Sequence, residues 1–468
     1  MEKPAQAPTT EHAGTGPAFT VKNVVTVFIS YHGRILLLRR GDKVGSYRGR
    51  WAGISGYIDE NEESIKRALK EISEEVQLDS NAVALVKTGQ SFPALDEDVG
   101  ILFVVHPFLF STTSPKITLD WEHDAFRWIR SQDLSRFETV PKLRESLERV
   151  LDDTPMPGPP HPAVLARLTE IKEDRVNGAS ELSRRALMAM STLAKLASAA
   201  TQEDLLFQLR VFGRELMNSR PSMAPLTNLA GRLLYLVEAQ AGTARTVEEL
   251  RQLITVACHQ LVEESQRAVR EIAAHAFHFI HNGMTVFTHS RSATVYETFK
   301  VARSAGISVS AIVTESRPLF EGRTTARELS ALGVPVTLTV DSAGGQVMRS
   351  ADLCVVGADS VLSDGSVINK IGTFPLALSA REYDKPFYVL CEKSKFNLRS
   401  LFEHRCEMEE RETSEVLPYA PDALVTVKNP YFEKTPSRLI SKLITEDGGL
   451  TSEELPPLFR KMLRGTYL

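Results

Sequence analysis

The 468-residue chain reads as an α/β multi-domain protein: a mixed α+β unit, a helical subdomain, then a doubly wound parallel sheet of Rossmann-like type. Three observations predict this. Residues 152–162 hold five prolines in eleven positions, which cannot continue a helix or a central strand and mark a semi-rigid linker. Residues 163–281 are rich in Ala and Leu at helical spacing throughout. From Gly283 onward, short β-rich runs alternate with helical ones, the pattern of a parallel sheet covered by helices.

Taken in order, residues 1–20 are a Pro-, Ala-, Thr- and Gly-rich stretch without an apolar core, expected to be a disordered tail and not a targeting peptide. The first domain, 21–151, is expected to open with a hairpin of strands 24–30 and 35–39 around His32-Gly33. A helix over 62–76, a strand over 101–110 and a closing helix over 142–151 follow. After the linker, 163–281 forms the helical subdomain and 282–468 the sheet subdomain. Strands are expected at 285–288, 309–314, 335–340, 353–356 and 386–390, with helices between them at 293–305 and 324–332.

Charge and cysteine content narrow the function. Fifty-five basic against fifty-nine acidic residues leave a net charge of −4, which argues against a protein whose task is gripping nucleic acid or an anionic membrane. No apolar run approaches a membrane span, so a soluble chain is expected. The four cysteines, Cys258, Cys354, Cys391 and Cys406, show no C-x-x-C pairing. That excludes a disulfide scaffold, argues against structural zinc and points to the cytoplasm.

Two places carry chemistry. In the first domain, Ile65, Ala68, Leu69, Ile72 and Val76 form an apolar helical stripe, while Glu71, Glu74 and Glu75 share another face. Stacked like charges repel, so basic neighbours such as Lys66, Arg67 and Lys70, or a bound cation, must offset them. Carboxylates on a rigid helix suit hard divalent cations that also bind pyrophosphate oxygens. Gly56, five residues, Glu62, seven residues, then Lys70-Glu71-Ile72-Ser73-Glu74-Glu75-Val76-Gln77-Leu78 resembles the Nudix box, with Lys70 in place of Arg and Gln77 in place of Gly. The preceding Trp51-Ala52-Gly53-Ile54-Ser55-Gly56 and the later Arg127-Trp128-Ile129 resemble that family too. The resemblance implies a Nudix α/β/α sandwich over about 21–150, with Glu71, Glu74 and Glu75 as ligands of Mg2+ or Mn2+. It also implies Glu62 and the Gly56 backbone as support, and hydrolysis of a nucleoside diphosphate derivative.

In the second half, the expected strand ends are polar: Thr288-His289-Ser290-Arg291-Ser292, Thr314-Glu315-Ser316-Arg317-Pro318, Asp341-Ser342-Ala343 and Gly357-Ala358-Asp359, followed by Asn369-Lys370. Ligands bind beyond the carboxyl ends of parallel strands, and hydroxyls, Arg and Lys at helix N-termini make an anion site. No G-x-G-x-x-G or P-loop is present. These segments resemble the family of ribose 1,5-bisphosphate isomerase, methylthioribose-1-phosphate isomerase and the alpha, beta and delta subunits of translation initiation factor 2B. The likeness also takes in Arg175-Val-Asn-Gly178-Ala179-Ser180, Ser219-Arg220-Pro221-Ser222 and Asn429-Pro430-Tyr431-Phe432. It implies a pocket for a phosphorylated sugar or nucleotide, lined by Arg175, Gly178, Ala179, Ser180, Arg220, Ser290, Ser292, Arg317, Asp359, Asn369 and Lys370. It further implies a homo-oligomer, or association with initiation-factor subunits. The isomerases use a Cys and an Asp; Asp359 fills the second position, but Ser290 stands at the first. A hydroxyl is a poor proton donor or acceptor near neutrality, which favours binding over catalysis there.

Overall fold

In the computed structural model the described residues are 20–96, 100–151, 160–174, 177–220, 223–401, 408, 410–419, 424–451 and 454–465. Nearly all of the expected tail, most of the proline linker, Arg175 and Cys406 lie outside them. The chain divides into two compact units, 1–153 and 154–468.

The first unit contains strands β1 (Thr20–Tyr31), β2 (Arg34–Arg40), β3 (Trp51–Ala52) and β4 (Ile54–Tyr57), then helix α1 (Ser64–Val76). Strands β5 (Val83–Thr88), β6 (Phe92–Asp96), β7 (Ile101–Thr112) and β8 (His123–Ile129) and helix α2 (Leu143–Val150) complete it. The sheet runs β3-β2-β1-β7-β5, with β4 and β8 attached to β1 and β2 and β6 to β7; β1 and β7 are parallel. The hairpin turns at His32 and Gly33, both at positive φ, as a tight connection between twisted strands requires. Alternation along the strands sorts the core into two layers. Val25, Val27, Ile29, Leu36 and Leu38 pack with Ala68, Ile72 and Val76 of α1. Phe28, Ile35 and Leu37 pack with Leu143, Leu147 and Val150 of α2. The result is the α/β/α sandwich.

Helix α1 ends at Gln77, whose backbone is left-handed (φ 54°, ψ 38°) and whose side chain is exposed. A side chain with a Cβ is strained there. Gln77→Gly is therefore expected to stabilise the unit by about 0.5–1 kcal/mol, the relief of strain outweighing the added freedom of the unfolded chain. Urea unfolding of both proteins measures it.

The second unit opens with five helices: α3 (Pro162–Glu173), α4 (Ala179–Leu196), α5 (Gln202–Ser219), α6 (Ala224–Ala241) and α7 (Val247–Phe277). Proline sits in the first turn of α3, where its missing N–H costs nothing. A reciprocal Thr201–Asp204 box caps α5. The leucine-rich faces of these helices form one core, joined by Leu362, Ile368, Tyr431 and Phe432 from the following region.

There β9 (Thr285–Thr288), α8 (Ala293–Ser304), β10 (Ser310–Thr314), α9 (Glu321–Ala331), β11 (Val336–Thr339), α10 (Gly344–Met348) and β12 (Leu353–Val356) alternate. Next come β13 (Ser360–Val361), β14 (Val367–Lys370), α11 (Thr373–Glu382), β15 (Phe387–Leu390), β16 (Phe432–Thr435), β17 (Lys442–Thr445), β18 (Gly448–Leu450) and α12 (Leu455–Leu463). The main sheet has the order β11-β10-β9-β12-β15-β17-β18. Its first six strands are parallel, and β18 turns back antiparallel on β17. This is the doubly wound arrangement, with its reversal point between β9 and β12. Asn369 and Lys370 lie within β14, the centre of a separate antiparallel sheet β13-β14-β16. Alternation of β14 and β16 is too short to read beside the stronger parallel pattern.

Candidate functional site

In the first unit, Glu71 and Glu75 point from α1 onto Ser55 and Gly56 of β4. Both are buried, at 7% and 5% exposure, whereas Glu74 is exposed, with Lys70 Nζ 4.0 Å from its Oε1. Glu75 Oε1 accepts the Ser55 N–H at 3.0 Å. Glu71 lies so close over Gly56 that a Cβ there would come within 1.8 Å of its Oε1, so only glycine fits. Arg67 Nε stands 2.8 Å from Glu71 Oε1, and its Nη1 is 3.8 Å from Glu62 and 3.6 Å from Asp59. Of the basic neighbours that the sequence offers, Arg67 takes the guanidinium role beside Glu71. Glu62 also accepts the Asp59 N–H at 3.1 Å, which shapes the approach to α1.

Desolvation drives both buried carboxyls upward, Glu75 well above its usual range and Glu71 less, because Arg67 opposes the shift. Among the described residues Glu75 Oε2 has no hydrogen-bond partner, and neither has His123 Nε2, 3.7 Å away. Among the described residues no set of three or more His, Cys, Asp or Glu is already gathered to hold a metal ion. The donor chemistry nevertheless fits a hard divalent cation: two buried oxygen ligands side by side, one with an unsatisfied oxygen, and Glu74 one turn away at the rim.

Sequence reading missed the loop facing this helix. Asp120 donates its N–H to the Glu75 carbonyl (3.1 Å) and holds His123 Nδ1 at 3.0 Å, and Glu122 adds negative charge near Glu71 and Glu75. The acidic run Asp120-Trp121-Glu122-His123-Asp124 was a signal, but only the fold brings it to α1.

In the second unit a cleft of about 130 Å3 opens at the reversal point of the sheet. The loop after β9 supplies Ser290, Arg291 and Ser292, and the loop after β12 supplies Gly357, Ala358 and Asp359. Gly178, Ala179 and Ser180 from the start of α4, Arg220, and Asn369 and Lys370 of β14 complete the expected set. Arg317 does not line it. Its backbone N–H is held by Asp341 Oδ2 (2.7 Å) and its guanidinium turns to the Glu415 carbonyl and the Phe320 ring. The reason is local: Asp341 holds the backbone of the turn after β10 so that Arg317 points away, while Leu319 and Glu321 of the same connection do line the cleft. Asp341 takes the Ser316 N–H (2.7 Å), and Ser316 Oγ takes the Ser290 N–H (2.8 Å).

That bracing holds Ser290 at φ 64°, a conformation costing on the order of 1–2 kcal/mol for a non-glycine residue. Ser292 caps α8 at 3.4 Å from the Val295 N–H, and a Cβ on Gly357 would come within 2.7 Å of its Oγ. His289 is buried between the Thr314 hydroxyl and the Ile371 carbonyl, 2.8 Å from Nε2, and burial lowers its pKa. Both of its ring nitrogens are thus engaged by the frame of the site. Six cationic side chains face four carboxylates around the cleft, and the N-termini of α4 and α8 converge on it, an arrangement suited to anions. Lys370 Nζ is 2.7 Å from Glu321 and 4.5 Å from the Tyr431 ring centre. Lys395, which sequence reading passed over, also lines the cleft; it is 6% exposed, and its ammonium makes no hydrogen bond or ion pair among the described residues. It stands just beyond the carboxyl end of β15, where the same strand-end rule would have found it.

The Initiation factor 2 subunit family matches residues 175–452, more than half of the chain. The chain belongs to that family. Its first unit matches the NUDIX domain over 20–150. This Nudix-bearing member is 35% identical over 307 residues to ribose 1,5-bisphosphate isomerase of Haloferax volcanii, covering 64% of this chain and 93% of that protein. It is 32% identical over 356 residues to methylthioribose-1-phosphate isomerase of Pelotomaculum thermopropionicum, covering 70% and 94%. Among solved structures it resembles translation initiation factor 2B of Pyrococcus horikoshii at 31% identity, with a TM-score of 0.55 and coverage of 64% of this chain and 99% of that one. No helix among the described residues is long and apolar enough to cross a membrane.

Proposed function

We propose that the Nudix unit hydrolyses a nucleoside diphosphate derivative with Mg2+ or Mn2+, and that the second unit binds a phosphorylated sugar or nucleotide in the reversal-point cleft. The observation that carries the first half is the buried pair Glu71–Glu75, packed on Gly56 and Ser55, with one carboxylate oxygen unsatisfied. Glu71, Glu74 and Glu75 would hold the metal, which supplies charge neutralisation at the pyrophosphate and a more acidic bound water. Arg67 keeps Glu71 oriented, and the Ser55 N–H fixes the rotamer of Glu75. A screen of nucleoside diphosphate derivatives with Mg2+, read as released phosphate esters, tests this; no turnover of any of them overturns it.

The second half rests on the cationic excess of the cleft and its two helix N-termini. Its relatives named as isomerases favour a further reading, in which the cleft retains the frame for sugar-phosphate isomerisation. Asp359 and Ser290 both line the cleft, and the resemblance implies that they stand at the family's aspartate and cysteine positions. Ser290→Cys supplies a thiol whose pKa is far closer to neutrality than that of a hydroxyl. It is expected to raise conversion of ribose 1,5-bisphosphate about 10²-fold or more over the natural chain. An unchanged rate in a folded variant shows that the cleft is a binder only. Self-association fits the same family and is read directly by sedimentation of the full chain.

A further inference from the structure

A second cavity of the family unit, of about 560 Å3, lies between α6, α7, α12 and the turn after β15. Leu229, Leu261 and Ala268 give it an apolar wall, and Glu392 and Glu446 give it an acidic floor. Glu392 is 1% exposed. Its Oε2 accepts the Ser394 hydroxyl at 3.2 Å, but its Oε1 has no hydrogen-bond partner among the described residues. Beside it, Glu446 accepts the Lys393 N–H (3.0 Å), and burial together with the neighbouring Glu392 raises its carboxyl pKa. The Lys393 ammonium, which also lines the cavity, pairs with Asp447 at 2.5 Å and with Glu446 at 3.9 Å, not with Glu392.

A buried carboxylate oxygen without a donor is costly until a cation or strong donor reaches it. Arg232, Arg267 and Lys461 line other parts of the cavity together with Glu264 and Glu271, so the preference for a cation is set at the floor, where Glu392 Oε1 has no donor among the described residues. A bare metal ion would leave most of the space and the whole apolar wall unused, and no set of three or more metal-ligating side chains is gathered among the described residues. An alkylammonium or guanidinium uses both features, with its charge on the floor and its methylenes along the wall.

The floor has a second connection. Glu392, Lys393 and Ser394 line this cavity, while the next residue, Lys395, lines the anion cleft. Asn228 of α6 ties the turn to the helix by donating to the carbonyls of Ser394 (2.6 Å) and Phe396 (2.7 Å), on either side of Lys395. We propose that this cavity is a second ligand site for a small organic cation, and that the 392–395 turn couples its occupancy to anion binding in the cleft. The site stands by itself; the coupling rests on the anion reading of the cleft.

Calorimetric titration of the full chain with putrescine, with 1,4-butanediol as the neutral match at constant ionic strength, tests both. Putrescine is expected to saturate one site per chain and the diol none. Glu392→Gln is expected to weaken putrescine about tenfold, the share of a charge-assisted bond. Ala268→Leu, which fills the cavity from α7 without touching the floor, is expected to abolish binding. Failure of putrescine to saturate, or binding unchanged in both variants, overturns the site. Saturating putrescine is expected to change the affinity for inorganic phosphate at least about threefold, with the reciprocal effect of phosphate on putrescine that linkage requires. Phosphate affinity that does not change overturns the coupling. If phosphate fails to bind at all, the anion reading and the coupling fall together while the cation site stands.

Discussion

Glu75→Gln is expected to lower metal-dependent hydrolysis by about 10²- to 10⁴-fold while raising the melting temperature of the Nudix unit in EDTA. The two changes share one cause. Glu75 is 5% exposed, its Oε1 is satisfied by the Ser55 N–H, and its Oε2 is not satisfied. An amide keeps the volume and the Ser55 bond and removes the buried charge, so the metal-free protein gains stability as the site loses a ligand or base. A variant that merely misfolded would lose on both measurements. The pH dependence follows with a definite sign. The folded state holds the Glu75 proton to a higher pH than the unfolded chain does, so metal-free stability falls as pH rises from about 4.3 through the raised value. Melts in EDTA at pH 5 and pH 8 should therefore differ more for the natural chain than for Glu75→Gln, with Glu71 leaving a smaller residual slope. Equal slopes in the two proteins would show that Glu75 is ionised without a metal, and would remove the basis for a site held ready for a cation.

What could be read beforehand was whatever chain spacing encodes. The Nudix box is one helix with its preceding loop, so Gly56, Glu62, Glu71 and Glu75 come together through local geometry alone. The outer strands and crossover helices of the doubly wound sheet are likewise periodic within each segment. The failures sit where function depends on tertiary placement. Arg317 looked equivalent to Ser290 because both follow strands of one sheet, yet Asp341 holds its backbone and its guanidinium turns to the Glu415 carbonyl and the Phe320 ring, leaving Leu319 and Glu321 to line the cleft. Asp120, Glu122 and His123 reach α1 only through the loop that leads into β8. Lys70 and Arg67 are both basic, but Arg67 stands one helical turn before Glu71, at the i,i+4 spacing that lets its guanidinium meet the carboxylate.

Two lysines of the cleft should answer the same substitution with opposite effects on the ligand-free protein. The Lys395 side chain is buried, and its ammonium makes no hydrogen bond or ion pair among the described residues. Lys395→Met preserves the apolar stem and deletes an ammonium without a direct partner, so the ligand-free melting temperature should rise. The same change should weaken binding of ribose 5-phosphate by about 2 kcal/mol or more, the loss typical of removing one member of a buried charge contact, or about 30-fold. Lys370 is equally buried but stands 2.7 Å from Glu321, whose Oε2 already has no hydrogen-bond partner. Lys370→Met strands that carboxylate, and the ligand-free protein should lose on the order of 3 kcal/mol. Thermal melts and calorimetric titrations of the three proteins separate the cases. If Lys395→Met left ribose 5-phosphate affinity unchanged, or destabilised the ligand-free fold as Lys370→Met should, its ammonium would be structural and the cleft would lose its best-placed phosphate ligand. A buried cation kept without a partner is the cost of a site that meets its counter-charge only when the anion arrives.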